Sequence, residues 1–366
     1  MNIEKKIDAL ALTGAYLEQH ALGAPPAGSL KNRLNNQFYR PFEEVICSEH
    51  THNGWFTEKY VRKALGAIAQ MLKRKRLQAW MGRYPALPAD PEQRKTVGVV
   101  MAGNIPLVGF HDMLSVIMSG NNFIGKPSSK DDRLLRMVAD IICSIESGFS
   151  DRIAFTDAYL NGADAIIATG SDNSARYFEY YFRNIPHIIR KNRNGIAVLS
   201  GNETDEELIA LGDDIFSYFG LGCRNVTKIF IPEAYDPCII LKAFDSFDSF
   251  ADLQDHHKYN NNLEYNRSVY LLNTIPFLDN GIILLKEHES ISSPVGVVYY
   301  EKYSQLDEVI TKITSQQEQI QCIVSNLAEI ENSIPPGTSQ APAVWDYADG
   351  VDTMEFLTAV TTGNGI

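Results

Sequence analysis

The sequence predicts an α/β protein built on open, mainly parallel sheets. Three observations point there. From residue 96 onward, short apolar strands alternate with helical segments. Turns rich in Gly, Ser and Asn follow several of those strands. The composition, 45% apolar and 21% charged, is that of an ordinary globular chain. The first 90 residues read as helical and loop-rich. Ile3, Ile7, Leu10 and Leu17 recur at helical spacing, so an amphipathic helix opens the chain. Val61, Leu65, Ile68 and Leu72 mark a second helix, with Thr57 as its N-cap. It runs into L-K-R-K-R (72–76), read as a solvated helix end, with a phosphate landing site as the alternative. T-V-G-V-V-M (96–101) is a buried strand, A-G-N-I-P (102–106) a loop, and 107–120 a helix. N-F-I-G-K (122–126) is a strand broken by Pro127, and 131–147 a helix. D-A-I-I-A-T-G (164–170) is a strand, and 171–183 a helix. This βαβ rhythm predicts helices on both faces of a parallel sheet. A second block starts at G-I-A-V-L-S (195–200), with a helix over 204–219 and the strand V-T-K-I-F-I (226–231) ended by Pro232. Then come the apolar string S-V-Y-L-L (268–272), the β-rich P-V-G-V-V-Y-Y (294–300) and a helix over 304–314. The tail after P-P-G (335–337) reads as a short separate piece.

The 366 residues suggest two or three domains. The net charge of −12, from 33 basic and 45 acidic residues, argues against bulk nucleic-acid binding but leaves room for a local basic pocket. Five cysteines show no C-x-x-C and no metal-ligand spacing, and an odd count fits a reducing compartment. The N-terminus lacks the apolar core of a signal peptide, and no run of 18 apolar residues exists. A cytoplasmic protein without a membrane span is expected. Asp346, Asp349 and Asp352 step by three, whereas a calcium loop alternates its acids. His256 and His257 are adjacent without further ligands at metal spacing. The three N-x-S/T strings at 202, 225 and 266 carry no weight without a secretion signal.

Chemistry concentrates at one cysteine. Cys223 stands in Y-F-G-L-G-C-R-N-V, after Gly220 and Gly222, whereas Cys47, Cys143, Cys238 and Cys322 have nondescript neighbours. Glycines clear the approach to the sulfur and let a backbone N–H point at the group it attacks. That suits a nucleophilic thiol. A buried structural cysteine near a turn fits the string as well. Three polar strings follow strands, where open α/β sheets bind ligands: Gly103-Asn104, Lys126-Pro127-Ser128-Ser129 and Thr169-Gly170-Ser171. The last puts Gly and Ser at a helix N-terminus, either as a phosphate seat or as simple N-capping. No G-x-G-x-x-G follows any strand, so the ordinary dinucleotide fingerprint is absent.

Taken in order, N-I-P-L, S-G-N-N-F-I-G-K-P-S, A-T-G-S and G-L-G-C-R-N-V resemble the aldehyde dehydrogenase superfamily. The nearest branch is the fatty-acyl-CoA reductases of the type that supplies aldehyde for bacterial luminescence. W-D-Y-A-D-G-V-D-T (345–353) also resembles that branch, and the likeness covers about 95–360. The resemblance implies an aldehyde-dehydrogenase-like fold. A nicotinamide-cofactor domain would span 1–193, a smaller α/β catalytic domain 194–335, and a tail, 336–366, would return to the domain interface. It implies that Cys223 forms a thioacyl-enzyme and that Asn104, with the Cys223 N–H, holds the oxyanion. Lys126 would contact the adenosine ribose, and Thr169, Gly170 and Ser171 would receive the pyrophosphate. Two departures inform the chemistry. I-I-R-K-N-R-N-G (188–195) lacks the glutamate with which aldehyde-oxidising relatives activate water. Ser129 stands where NAD-preferring relatives carry an acid, which implies NADPH, with NADH as the alternative. Glu289 lies one residue out of register with a second family glutamate and is assigned no role. Arg190, Lys191 and Arg193 would either meet a cofactor phosphate or form a solvated loop. The expected reaction is reduction of an acyl-CoA, or another acyl thioester, to an aldehyde. The expected partners are an acyl-transferring or aldehyde-consuming enzyme and further copies of the chain in a homo-oligomer. Two rival readings are an acyl-phosphate reductase on the same scaffold and a catalytically silent nucleotide-binding partner subunit.

Overall fold

Short runs rich in apolar residues form most of the strands, and segments between them coil into helices that cover the apolar faces. The computed structural model describes residues 1–23, 33–88, 90–91, 93–160, 162–247 and 250–363. The chain divides into two compact units, Met1–Lys191 with Pro342–Ile366, and Asn192–Ala341.

The first unit opens on the helix Ile3–Ala21, capped by Asn2, which buries Ile7, Leu10 and Leu17. Helix Arg40–His52 follows, and Thr57 caps Glu58–Met71 by accepting the Tyr60 amide. The basic run opens a helix, Arg74–Met81, rather than ending one. Arg74 there pairs with Glu4 and Asp8 on the first helix, so the run is solvated but partnered. The sheet comprises β1 (Thr96–Val100), β2 (Asn122–Lys126), β3 (Ile153–Phe155), β4 (Ala165–Thr169) and β5 (His187–Arg190). Its order is β3-β2-β1-β4-β5, parallel throughout. The order reverses between β1 and β4, and sheets of this kind usually bind ligands beyond the carboxyl ends of the strands at such a reversal. Helices Phe110–Met118, Arg133–Ile145 and Asp172–Phe182 connect the strands. The first of these starts three residues later than its apolar run suggests, because Leu107 adopts a left-handed φ of 60° after Pro106.

The second unit holds β6 (Asn194–Val198), β7 (Val226–Pro232), β8 (Leu278–Asp279), β9 (Leu284–Glu287), β10 (Val297–Tyr303) and β11 (Ile320–Val324). The order is β11-β6-β7-β10-β9-β8, and only the β8–β9 pair is antiparallel. Ile196, Val198, Phe230, Ile291 and Val309 pack one face, and Leu263, Tyr270, Leu284 and Val297 form a second cluster. S-V-Y-L-L closes the helix His257–Leu272. Tyr270 turns inward while Leu271 and Leu272 are exposed. A short apolar string fits a strand or a helix equally well, and here its N-terminal flank selects the helix.

The residues after P-P-G do not form a separate piece. In the second unit, Asp214 accepts the amides of Gly337 (2.6 Å) and Ser339 (2.9 Å). In the first, the Tyr347 hydroxyl receives the Trp80 indole N–H (2.6 Å), and Asp352 caps the last helix, Thr353–Thr362. Among the described residues no helix is long and apolar enough to cross a membrane.

Candidate active site

Helix Asp205–Phe216 starts with a reciprocal Thr204–Glu207 capping box and aims its C-terminal end at the segment that carries Cys223. Beyond it the chain makes an abrupt turn. Tyr218 (φ 54°), Phe219 (φ 58°) and Gly220 (φ 74°) are all left-handed. Two of these are bulky aromatics, a conformation that costs on the order of 1–3 kcal/mol each and persists only when the surroundings enforce it. Burial supplies part of that enforcement. Both rings are buried, and Phe219 stacks on His256 with centroids 3.9 Å apart.

Asn225 supplies the rest. This fully buried side chain points its amide at the carbonyls of Asp214 (3.0 Å), Ile215 (3.3 Å) and Ser217 (2.9 Å). Its oxygen accepts the Gly222 N–H at 2.7 Å. One residue thereby satisfies the orphan carbonyls of the helix end and clamps both sides of the turn. Cys223, half-buried, lies between the clamped Gly222 and Asn225 itself. Behind it, Gly195 leaves room for the Arg224 backbone, since a Cβ there would meet the Arg224 oxygen at 2.7 Å. Arg224 donates to the Ser339 carbonyl at 2.7 Å, and Asp214 binds the same segment. Burial pushes the Asp214 carboxyl above its usual range, against the pull of those amides.

The other four cysteines are held as thiols. Burial pushes the thiols of Cys47, Cys143 and Cys322 up, the last to about 12. Cys238 is raised mainly by its hydrogen bond to Asp236.

In the first unit the remaining sequence-predicted residues lie at the carboxyl ends of β1, β2 and β4. Asn104 is exposed in the loop after β1. Lys126 ends β2 in register with Val100, and its ammonium sits 5.2 Å from the Tyr159 ring centroid. Ser129 is exposed three residues later. Thr169 ends β4, and Gly170 packs so tightly that a Cβ would meet Ser174 at 2.7 Å. Ser171 caps the following helix, accepting the Ser174 amide at 3.4 Å.

The basic residues that end and follow β5 all have partners within the protein. Arg190 is buried, ion-paired with Asp112 (2.7 Å) and bonded to Thr353 (3.0 Å). Lys191 pairs with Glu179, and Arg193 donates to the carbonyls of Gln317 and Ile320. Glu289 is exposed in the segment after β9. Among the described residues no cluster of His, Cys, Asp or Glu is arranged to hold a metal. His256 instead caps His257–Leu272.

Sequence reasoning missed Asn225 and Asp214. Asn225 carried a usable signal: it is a polar residue at the threshold of an otherwise apolar strand, two positions from the cysteine.

Residues 56–235, which include Cys223, match the family model described as acyl-CoA reductase (LuxC). No curated protein sequence matches the chain. Solved structures resemble it in fold. Aldehyde dehydrogenase 21 of Physcomitrella patens, in complex with succinate, is 13% identical with a TM-score of 0.62, covering 98% of this chain and 87% of its own. A Mycobacterium tuberculosis aldehyde dehydrogenase complexed with NAD+ is 11% identical with a TM-score of 0.61, covering 96% and 84%. An aldehyde dehydrogenase of Bacillus cereus, also with NAD+, is 12% identical with a TM-score of 0.57, covering 89% and 77%. The fold and the family match agree with the motifs in the sequence: residues 56–235 carry an acyl-CoA reductase (LuxC) match within a chain of aldehyde-dehydrogenase fold, which supports an enzyme of the acylating aldehyde dehydrogenase type.

Proposed function

We propose that the protein reduces an acyl-CoA, or a related acyl thioester, to an aldehyde through a thioacyl intermediate on Cys223, with NADPH as reductant. The observation that carries this reading is the Cys223 turn, strained and clamped by Asn225, within the stretch that matches acyl-CoA reductases. The Cys223 thiolate attacks the thioester carbonyl. The Asn104 amide and the Cys223 N–H stabilise the tetrahedral oxyanion, and each such donor is typically worth about 3–4 kcal/mol of barrier. Collapse of that intermediate breaks the C–S bond to coenzyme A, which leaves as its thiol, and Cys223 keeps the acyl group. A bound reduced nicotinamide supplies the hydride that takes the thioacyl group to the aldehyde level and frees Cys223.

The first unit fits such a cofactor. The reversal in strand order lies between β1 and β4, and the Thr169–Ser171 turn leads directly into a helix whose first-turn N–H groups suit an anion. Lys126 ends β2 and Ser129 lies three residues beyond it, at the same end of the sheet. Residues 188–195 contain no carboxylate to activate water, which favours thiol exchange and reduction over hydrolysis. A partner enzyme that delivers the acyl group or consumes the aldehyde, a homo-oligomeric assembly and a cytoplasmic location belong to the same reading.

The test is absorbance at the nicotinamide band with purified protein, NADPH and acyl-CoAs of graded length. Oxidation of NADPH with at least one thioester is expected. No oxidation with any thioester rejects the reading, and turnover of acyl phosphates alone would assign the phosphate chemistry instead. Ser129 sets the expected nucleotide preference. Ser129→Glu places a carboxylate near a 2′-phosphate, and KM for NADPH should rise at least ~10-fold while KM for NADH changes little. An unchanged ratio of the two KM values would separate Ser129 from cofactor choice.

A further inference from the structure

The loop after β1 and the loop after β2 are joined by a residue to which neither motif reading assigns a task. Leu107 lies three residues beyond Asn104 and holds φ 60°, which is strained for a branched side chain. Asp131 stabilises this turn: its Oδ2 accepts the Leu107 N–H at 2.8 Å, and the Val108 amide faces the same carboxyl group. Asp131 is itself 5% exposed, and its Oδ1 is buried without a partner. Its own amide closes the turn that follows Lys126 by donating to the Ser128 carbonyl at 3.0 Å. The two loops touch elsewhere too. A Cβ on Gly103 would meet the Ser128 hydroxyl at 2.6 Å, and the buried Asn53 amide spans the Gly103 (3.4 Å) and Lys130 (3.3 Å) carbonyls.

We propose that Asp131 is a positioning residue, which fixes the Asn104 loop against the Lys126–Ser129 loop so that the oxyanion amide is held ready before the acyl group arrives. The proposal rests on the thioester reading above. Without Asp131, the Leu107 amide loses its acceptor and one tie that holds Leu107 in its left-handed state is gone. The loop that carries Asn104 then samples several conformations, and an oxyanion donor works only when it is already in place. Burial pushes the Asp131 carboxyl up to about 8, with the charges of Glu49 and Asp132 adding to the rise. Near neutrality the group is therefore mostly the neutral acid, and an asparagine reproduces its carbonyl acceptor.

The experiment follows the transfer of an acyl group from acyl-CoA to Cys223 in the full chain without nucleotide, together with amide hydrogen exchange. In Asp131→Ala, acyl transfer should slow 10- to 100-fold and the Leu107 and Val108 amides should exchange faster. Asp131→Asn should restore acyl transfer to within about three-fold of the parent. If Asp131→Ala does not fold, Asn53→Ala cuts the other tie between the same loops and carries the same expectation. A folded variant that acylates at the parental rate overturns the proposal, as does failure of Asp131→Asn to restore it. Absence of acyl transfer in the parent protein instead rejects the thioester reading itself.

Discussion

Cys223→Ala should abolish acyl-CoA reduction, with kcat falling at least ~1,000-fold, while NADPH affinity and the melting temperature stay close to the parent's. The substitution removes the nucleophile and little else. Cys223 is only half-buried, so the lost packing costs about 1 kcal/mol or less. No other thiol is placed to take over. Cys322 lies close by, with its sulfur 3.6 Å from the Arg224 carbonyl, but burial pushes its thiol up to about 12. At neutral pH that leaves it almost entirely the unreactive thiol. Steady-state kinetics with titration of bound NADPH checks the pair of expectations. Residual turnover above ~5% of the parent's would assign the nucleophile elsewhere, and loss of nucleotide binding would make the effect one of folding.

Asn225→Ala should be the most damaging single change to the second unit, lowering unfolding stability by about 3–5 kcal/mol. The estimate follows from the groups left behind. Three carbonyls of the helix end and the Gly222 N–H would lose their buried partner, and each buried group left unpaired costs about 1–3 kcal/mol. Some will find water or relax, which keeps the total below the simple sum. Relaxation has its own consequence, because the left-handed run at Tyr218–Gly220 is then free to unwind and carry Cys223 away from its clamped position. The rate at which iodoacetamide alkylates Cys223 should therefore change along with stability. Asn225→Asp is no rescue: it keeps the acceptor for Gly222 but turns lone pairs on three carbonyls and buries a charge. Urea unfolding at unchanged m-value measures the first effect. A loss under about 1 kcal/mol would show that the Cys223 turn is held by its aromatic packing instead.

Much of this architecture is legible in the sequence where the signal is local. β1, β2, β4, β6 and β7 announce themselves as short apolar runs with Gly or Pro at or soon after their ends. β3 and β5 do not, because strands of three and four residues are too short to show a period. β11, I-Q-C-I-V, has five residues but stands behind a polar stretch that masks it. Cys223 itself stands out through Gly220 and Gly222, and Ser171 through its place before a helix. The clamp on Cys223 is another matter. It depends on the chain reversing at Tyr218 and Phe219, and nothing in two aromatic residues signals a positive φ. Arg190 shows the same limit over longer range. Its basic neighbours suggest a solvated loop or a phosphate contact, yet its partners are Asp112, 78 residues back, and Thr353, 163 residues ahead. Pairings of that separation are set by packing of distant elements, and a buried arginine pairs with whichever carboxylate shares its cavity.

The proposed reaction turns on one covalent event, and mass spectrometry of the protein after incubation with acyl-CoA alone reads it directly. Without nucleotide the hydride step cannot follow, so the acyl group should accumulate. The expected result is one acyl group per chain, labile to hydroxylamine and confined to the peptide that carries Cys223, with one equivalent of coenzyme A released. An unmodified protein, or an acyl group on any other residue, would contradict the account.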